Sequence, residues 1–236
     1  EARTAELIET SRPMLRRITG ERVRNELKLL LREMQPERAL LVMQSRQILP
    51  AIHPWLTFDE TAAQAFQHAR STQDRWPVTV ERVERLYWHL MMAHIDPERL
   101  PDVCRRLLFA QNITQSFIGA ATLAQQPGVL AAPDARPSDI VRLLDDMTEI
   151  ALLTAWISVD DRRQSRIERY LHEWRHLAPR TNGYTLREMG LPTGPRYRII
   201  LDRLRDACLN GEITDDASEQ ALLHQLIEET ASLDDD

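Results

Sequence analysis

The sequence predicts an all-α protein, and three observations carry that reading. Apolar residues recur at spacings of three and four along most of the chain, which is the period of a helix face. No stretch shows the strict alternation of a half-buried strand. The chain has only 7 glycines, while hydrophobic residues make up 43% and charged residues 28% of its 236 residues. That balance suits a globular protein with a sizeable core and excludes a disordered chain.

The elements follow in order. After a turn at Thr19-Gly20, a helix carries Arg24, Lys28 and Arg32 in one row, facing away from Val23, Leu27, Leu30 and Met34. Pro36 is placed as the first residue of the helix "PERALLVMQS". Thr57 and Glu60 form a capping-box pattern that opens a helix through Ala69. Thr79 is placed to cap the next, whose inner face reads Val80, Val83, Leu86, Tyr87, Leu90 and Met91.

Ile140, Leu143, Leu144, Met147 and Ile150 continue the pattern. They run on into "IALLTAWI", apolar nearly all round, so a single continuous helix buried at the centre is expected there. Breaks are expected at "LPAIHPW", "QDRWP", "QQPGVLAAPDARPSD" and "APRTNGYTLREMGLPTGP". A helix resumes at Pro195 and stops at Gly211, and Thr214 opens the last one before a solvated "SLDDD" tail.

Several functional classes fall away at this level. "IALLTAWI" is too short to cross a bilayer, and no signal peptide is evident. Cys104 and Cys208 are far apart, as reduced thiols of a cytoplasmic protein would be. The net charge of −6 argues against wholesale coating of nucleic acid, although local patches decide binding. Lys28 is the one lysine; every other basic side chain short of histidine is an arginine, the residue whose fork matches phosphate. The chain opens at Glu1 without an initiator Met, which reads as a fragment or a processed product.

No phosphate loop, C-x-x-C pair or nucleophile elbow is present. Asp145-Asp146, Asp160-Asp161 and Asp215-Asp216 are adjacent pairs near helix ends, suited to capping rather than to a two-metal centre. "YLHEWRH" contains His172-Glu173-x-x-His176, the spacing of a helical zinc site. The third ligand of the extended motif is missing, since Asn182 stands where it would be, and Arg175 puts a cation between the histidines. An amphipathic helix with Ile167, Leu171, Trp174 and Leu177 inward accounts for the segment without metal.

Two stretches carry a family resemblance. "RTAELI…LRRITGERVRNELKLLL" supplies Arg3, Thr4, Leu7, Ile8, Thr19, Gly20, Glu21, Arg22, Val23, Glu26 and Leu27. "GYTLREMGLPTGPRYRIILDRLRDACLNGEIT" supplies Gly183, Leu186, Gly190, Gly194, Pro195, Tyr197, Ile200, Leu201, Leu204, Ala207 and Gly211. Together they resemble the region that follows the catalytic head in the tRNA nucleotidyltransferase and poly(A) polymerase family. Thr185 and Arg198 depart from that family's pattern, where Asp and Gly are usual.

The resemblance implies an elongated multi-helix array with a smaller C-terminal helical tail. Residues 1–60 would form the end of the neck, 61–178 a helical body and 179–236 the tail. It also implies an RNA-binding, tRNA-processing role for this part of a template-independent nucleotidyltransferase. The D-x-D carboxylates of the head, with their Mg2+ and nucleoside triphosphate, have no counterpart here. The chain alone is therefore expected to be inactive and to hold no cofactor of its own.

The expected partner is tRNA or another folded RNA, with no DNA and no membrane; a homodimer is left open. Candidate RNA contacts are Arg17, Arg24, Lys28 and Arg32, then Arg196, Arg198, Arg203 and Arg205, with Tyr184 and Tyr197 as aromatic candidates. Gly20, Glu21, Arg22, Gly194 and Pro195 are expected as structural supports. Two readings stand beside this one: a helical protein-interaction module, and the zinc hydrolase. Whether the parent adds CCA, a single A or a poly(A) tail lies outside these residues.

Overall fold

A computed structural model describes residues 12–126 and 128–231. Arg3, Thr4, Leu7, Ile8, Pro127 and the "SLDDD" tail lie outside the described residues. Every regular element among those described is helical, and none is a strand. No helix among them is long and apolar enough to cross a membrane.

The chain divides into two compact units. The first takes residues up to Gly128 together with Met147–Ile167. It opens with a 3-10 turn (Arg12–Arg17), then α1 (Gly20–Leu30), α2 (Pro36–Ser45), α3 (Ile48–Ile52) and α4 (Glu60–Ser71). After these come α5 (Val83–Ala93), α6 (Leu100–Arg106), α7 (Gln111–Gln125) and α10 (Glu149–Ser158). α5, α7 and α10 pack on one another. Leu86 to Ala93 of α5 and Ala151 to Ile157 of α10 are buried all round, so these helices form the centre of this unit. Phe66 of α4 stacks on Tyr87 at 4.5 Å between ring centres. Beside them Arg70 grips buried Glu37 with both guanidinium ends, at 2.5 and 2.9 Å.

A polar chain runs through this apolar centre, and its direction can be deduced. His89 Nδ1 lies 2.8 Å from the Arg85 carbonyl, which can only accept, so Nδ1 carries the proton. His89 Nε2 must then accept from the Ser116 hydroxyl at 2.9 Å. With its proton so engaged, Ser116 accepts from Thr148 at 2.6 Å. Thr148 Oγ1 in turn accepts the Ala151 N–H at 3.3 Å, capping α10. Each buried donor in the series meets one acceptor. Burial pushes the His89 imidazole down to about 4, so the ring is neutral and the arrangement holds at neutral pH.

The second unit takes Val129–Asp146 and the chain from Glu168 onward. It contains α9 (Pro137–Leu144), α12 (Gly183–Glu188), α13 (Pro195–Leu209) and α14 (Asp216–Ala231). α8 (Gly128–Ala131) is a single turn, and the division between the units falls within α11 (Asp161–His172). Leu186, Ile200, Leu204, Leu223 and Leu226 form the core of this unit. Buried Glu219 fastens its edge, accepting the Thr181 N–H at 2.7 Å, the Thr181 hydroxyl at 2.6 Å and the Arg180 N–H at 3.2 Å. Burial pushes the Glu219 carboxyl up, and these three donors outweigh it, so its pKa falls below the ordinary value.

Some local expectations need correction. The predicted single helix over residues 139–157 is interrupted: α9 ends at Leu144, and Thr148 caps a new helix, because its hydroxyl oxygen accepts the Ala151 N–H. The cap of α4 is Asp59, which accepts from Ala62 N at 2.9 Å, and not Thr57. Thr79 caps nothing; α5 begins at Val83, and its N-cap Arg82 makes no side-chain capping bond. Breaks predicted at "LPAIHPW" and around "GYTLRE" contain the short helices α3 and α12. α12 is held by a capping box in which Asn182 accepts from the Tyr184 and Thr185 N–H groups and Thr185 Oγ1 accepts the Asn182 N–H. That is a structural use for the threonine that departs from the family pattern.

Candidate nucleic-acid interface

A candidate lies in the first unit, where α1 meets the end of α6. Gly20 permits the meeting. A Cβ at position 20 would stand 2.0 Å from the Arg106 carbonyl oxygen. Arg106 turns its side chain the other way and fastens the preceding turn, donating to Leu15 O and Ile18 O at 3.0 Å each and to Ile52 O at 3.3 Å. Leu108 then takes a left-handed φ of 56°, uncommon for a branched aliphatic residue. Its carbonyl accepts from Arg24 Nη1, one helical turn past Gly20. The Arg24 guanidinium also lies over the Phe109 ring, with its carbon 5.6 Å from the ring centre.

Next to Arg24 opens a groove of about 390 Å³, lined by Asn25, Lys28, Arg82, Glu84, Arg85, Trp88, His89, Phe109, Ala110, Ile113 and Phe117. Phe109 packs edge-on against Trp88 and Phe117, each at 5.1 Å. The floor is therefore aromatic and rigid, and the rim is cationic. Lys28 is half-buried, while Arg82 and Arg85 are exposed. Glu84 is the acid on this rim. Burial pushes its carboxyl up, but the Arg32 hydrogen bond at 3.1 Å and the Arg82 charge bring it below its ordinary value. It stays ionised and neutralised by Arg32, leaving Arg24, Lys28, Arg82 and Arg85 as the groove's surplus positive charge.

The predicted cationic row on α1 is thus only partly a row. Arg24 and Lys28 line the groove together. Arg32 lies beyond the end of α1, which closes at Leu30 when the N–H groups of Arg32 and Glu33 turn back to Leu29 and Leu30. That turn also leaves Met34 exposed, where an inward position was expected. Leu27 and Val23 are buried as predicted, and Leu30 is half-buried. Arg17 is exposed on the opening turn, outside the lining of the groove. Glu21 and Arg22 are exposed on the first turn of α1, while Gly20 makes the close approach to Arg106.

In the second unit the predicted cations are largely engaged. Arg196 donates to Thr230 Oγ1 at 2.7 Å and to the Ile227 carbonyl. Arg203 pairs with Glu212 at 2.6 Å, and Arg205 holds both oxygens of Asp145 at 2.6 and 3.4 Å. Arg198 faces Asp202 at 3.5 Å with both side chains largely in solvent, a pairing of little strength. Gly194 and Pro195 open α13 as N-cap and first residue. Tyr197 is a packing residue whose hydroxyl donates to Leu191 O at 2.8 Å, whereas Tyr184 is 79% exposed.

The histidine pair does not build a zinc site of the expected kind. α11 ends at His172, and Trp174–His176 is a 3-10 turn, so the two rings do not share a helix face. Arg175 donates to His176 Nε2 at 3.1 Å. Ile167, Leu171 and Trp174 point inward as expected, while Leu177 is exposed. Among the described residues no three His, Cys, Asp or Glu side chains gather as metal ligands. Sequence reasoning missed Arg82, Arg85, Trp88, Arg106, Leu108 and Phe109. The first two are separated by one helical turn and could have been read as a short basic face; the others answer only to tertiary contact.

Comparison with known proteins gives a consistent setting. Residues 1–59 match a family described as the probable RNA and SrmB-binding site of polymerase A. The chain is homologous to an A-adding tRNA nucleotidyltransferase of Geobacter sulfurreducens, 28% identical over 209 residues. That match takes in 84% of this chain but 24% of the relative, so the chain spans about a quarter of its length. In fold it resembles a Thermotoga maritima CCA-adding enzyme complexed with tRNA, with a TM-score of 0.70 at 18% identity. That likeness covers 97% of this chain and 55% of the other. A CCA-adding enzyme in complex with ATP superimposes with a TM-score of 0.73 at 18% identity, over 99% of this chain and 56% of the other.

Proposed function

We propose, from this homology to a tRNA nucleotidyltransferase, that the chain is the RNA-holding region of such an enzyme and positions a tRNA whose 3′ end is extended elsewhere in the protein. The observation that carries the reading is the groove beside α1, where Lys28, Arg82 and Arg85 surround an aromatic floor in one preformed place. Cations without acid partners attract phosphates and release counterions, and a rigid floor limits the ordering that binding requires. Arg17 extends the basic surface from the neighbouring turn. Arg198, exposed and weakly paired, is the tail residue best able to reach a phosphate; Arg196, Arg203 and Arg205 would first have to leave their present partners.

In this reading nucleotide and Mg2+ chemistry belongs to a head outside this chain, and the chain alone incorporates no nucleotide. The unpaired Cys104 and Cys208 are in keeping with a cytoplasmic protein.

Titration of the chain with a folded tRNA at two salt concentrations tests this. Saturable binding that weakens steeply with salt is expected, and Lys28→Glu with Arg85→Glu should weaken it at least ~10-fold at low salt. Absence of binding at low salt, or binding indifferent to both reversals, rejects the groove as an RNA site.

A further inference from the structure

Arg24 differs from the other cations of the groove. Its guanidinium is fixed at one end by the Leu108 carbonyl and backed by the Phe109 ring. Phe109 is itself braced edge-on by Trp88 and Phe117. A phosphate contact needs none of this, since a mobile arginine finds phosphate readily. A planar cation held against a ring is what a nucleobase stacks upon, because guanidinium planes serve RNA bases as aromatic faces do.

We propose that Arg24 is a stacking platform for one unpaired base of a bound RNA strand, with Lys28, Arg82 and Arg85 taking the phosphates beside it. The proposal deepens the RNA-holding reading and rests on it. The groove, at about 390 Å³, lies near the small end of ligand sites (~300–1,000 Å³). It therefore has room for about one nucleotide, and the flanking cations would set the strand's path past it. Leu108 has a place in this device: its left-handed turn directs the carbonyl that fixes the plane.

Arginine and lysine carry the same charge, but only arginine offers a plane, so the test separates charge from stacking. The chain and its Arg24→Lys variant are titrated with a short oligoadenylate and with an abasic strand of equal length. The wild type should prefer the base-bearing strand by ~10-fold, within the range for one stacked base. Arg24→Lys should abolish that preference while leaving the salt dependence and the abasic affinity unchanged. Lys28→Gln and Arg82→Gln should do the converse, each lowering the salt slope by about one on both strands and leaving the base preference intact.

If Arg24→Lys does not melt cooperatively, Phe109→Leu takes its place, removing the ring and keeping the charge, with the same expected loss. A wild type with no base preference, or a preference that survives Arg24→Lys, overturns the proposal. Binding of folded tRNA without measurable binding of either short strand also overturns it, and leaves the RNA-holding function standing. Failure of both tRNA and oligoadenylate to bind removes that function and this inference together.

Discussion

A methyl group at position 20 would press on the Arg106 carbonyl, which belongs to the backbone and cannot step aside. Gly20→Ala should therefore cost about 1–3 kcal/mol, the usual range for an overpacked contact. It should also displace Arg24 from Leu108, so RNA affinity falls together with the thermal midpoint. His89 sets a second limit at this scale. Its folded pKa is about 4 against an ordinary 6.5, so above pH 6.5 the ring is neutral in both states and stability is complete. As pH falls from 6.5 toward 4 the unfolded chain takes the proton first, and ~3 kcal/mol is lost across that window. Urea midpoints measured from pH 7 to 4 should show this loss, and His89→Gln should show a shallower decline. The sequence marked Gly20 through its motif but gave no sign of what it touches, since Arg106 is 86 positions away in the numbering and the contact is purely tertiary.

Helices were legible where their caps are local and their apolar faces uniform. α2 starts at Pro36 and α13 at Pro195, as the sequence indicates, because proline lacks the N–H that a first turn leaves idle. The hidden boundaries are those where two signals compete. Residues 139–157 keep a helical period throughout, yet Thr148 breaks the run by capping, a choice settled by its bond to Ser116 across the core. Thr148→Ala should remove the cap and leave Ser116 without a donor, costing about 1–2 kcal/mol in a denaturant melt. At the edge of the second unit, Glu219→Ala leaves three donors without their acceptor and should cost about 2–4 kcal/mol. Proteolysis near Arg180 and Thr181 should accelerate in that variant.

For the whole molecule, charge is arranged unlike its total. The chain carries −6 overall, and several arginines are held by a carboxylate, as Arg142, Arg203 and Arg205 are. RNA affinity should accordingly follow the cations of the groove rather than those held by carboxylates. Replacing Arg203 by Gln should change tRNA affinity less than ~2-fold, while Arg85→Gln should lower it several-fold and flatten the salt dependence. A filter-binding series over salt distinguishes the two. Composition could not reveal this, because pairing in space and not the count of arginines decides which charges remain. The family resemblance pointed to α1 for RNA contact, whereas Arg82 and Arg85 of the groove's rim come from the start of α5, where "ERVERLYW" reads as an ordinary amphipathic segment.

Leu108 contributes its carbonyl and its backbone turn, and its side chain is 57% exposed. A left-handed conformation disfavours leucine by about 1–2 kcal/mol, a burden that glycine lacks and asparagine bears lightly. Under laboratory selection for thermal tolerance, variation at this position should drift toward Gly and Asn. Position 24 should stay arginine only when RNA capture is selected as well, so the two pressures would separate a hinge of the backbone from the side chain it aims.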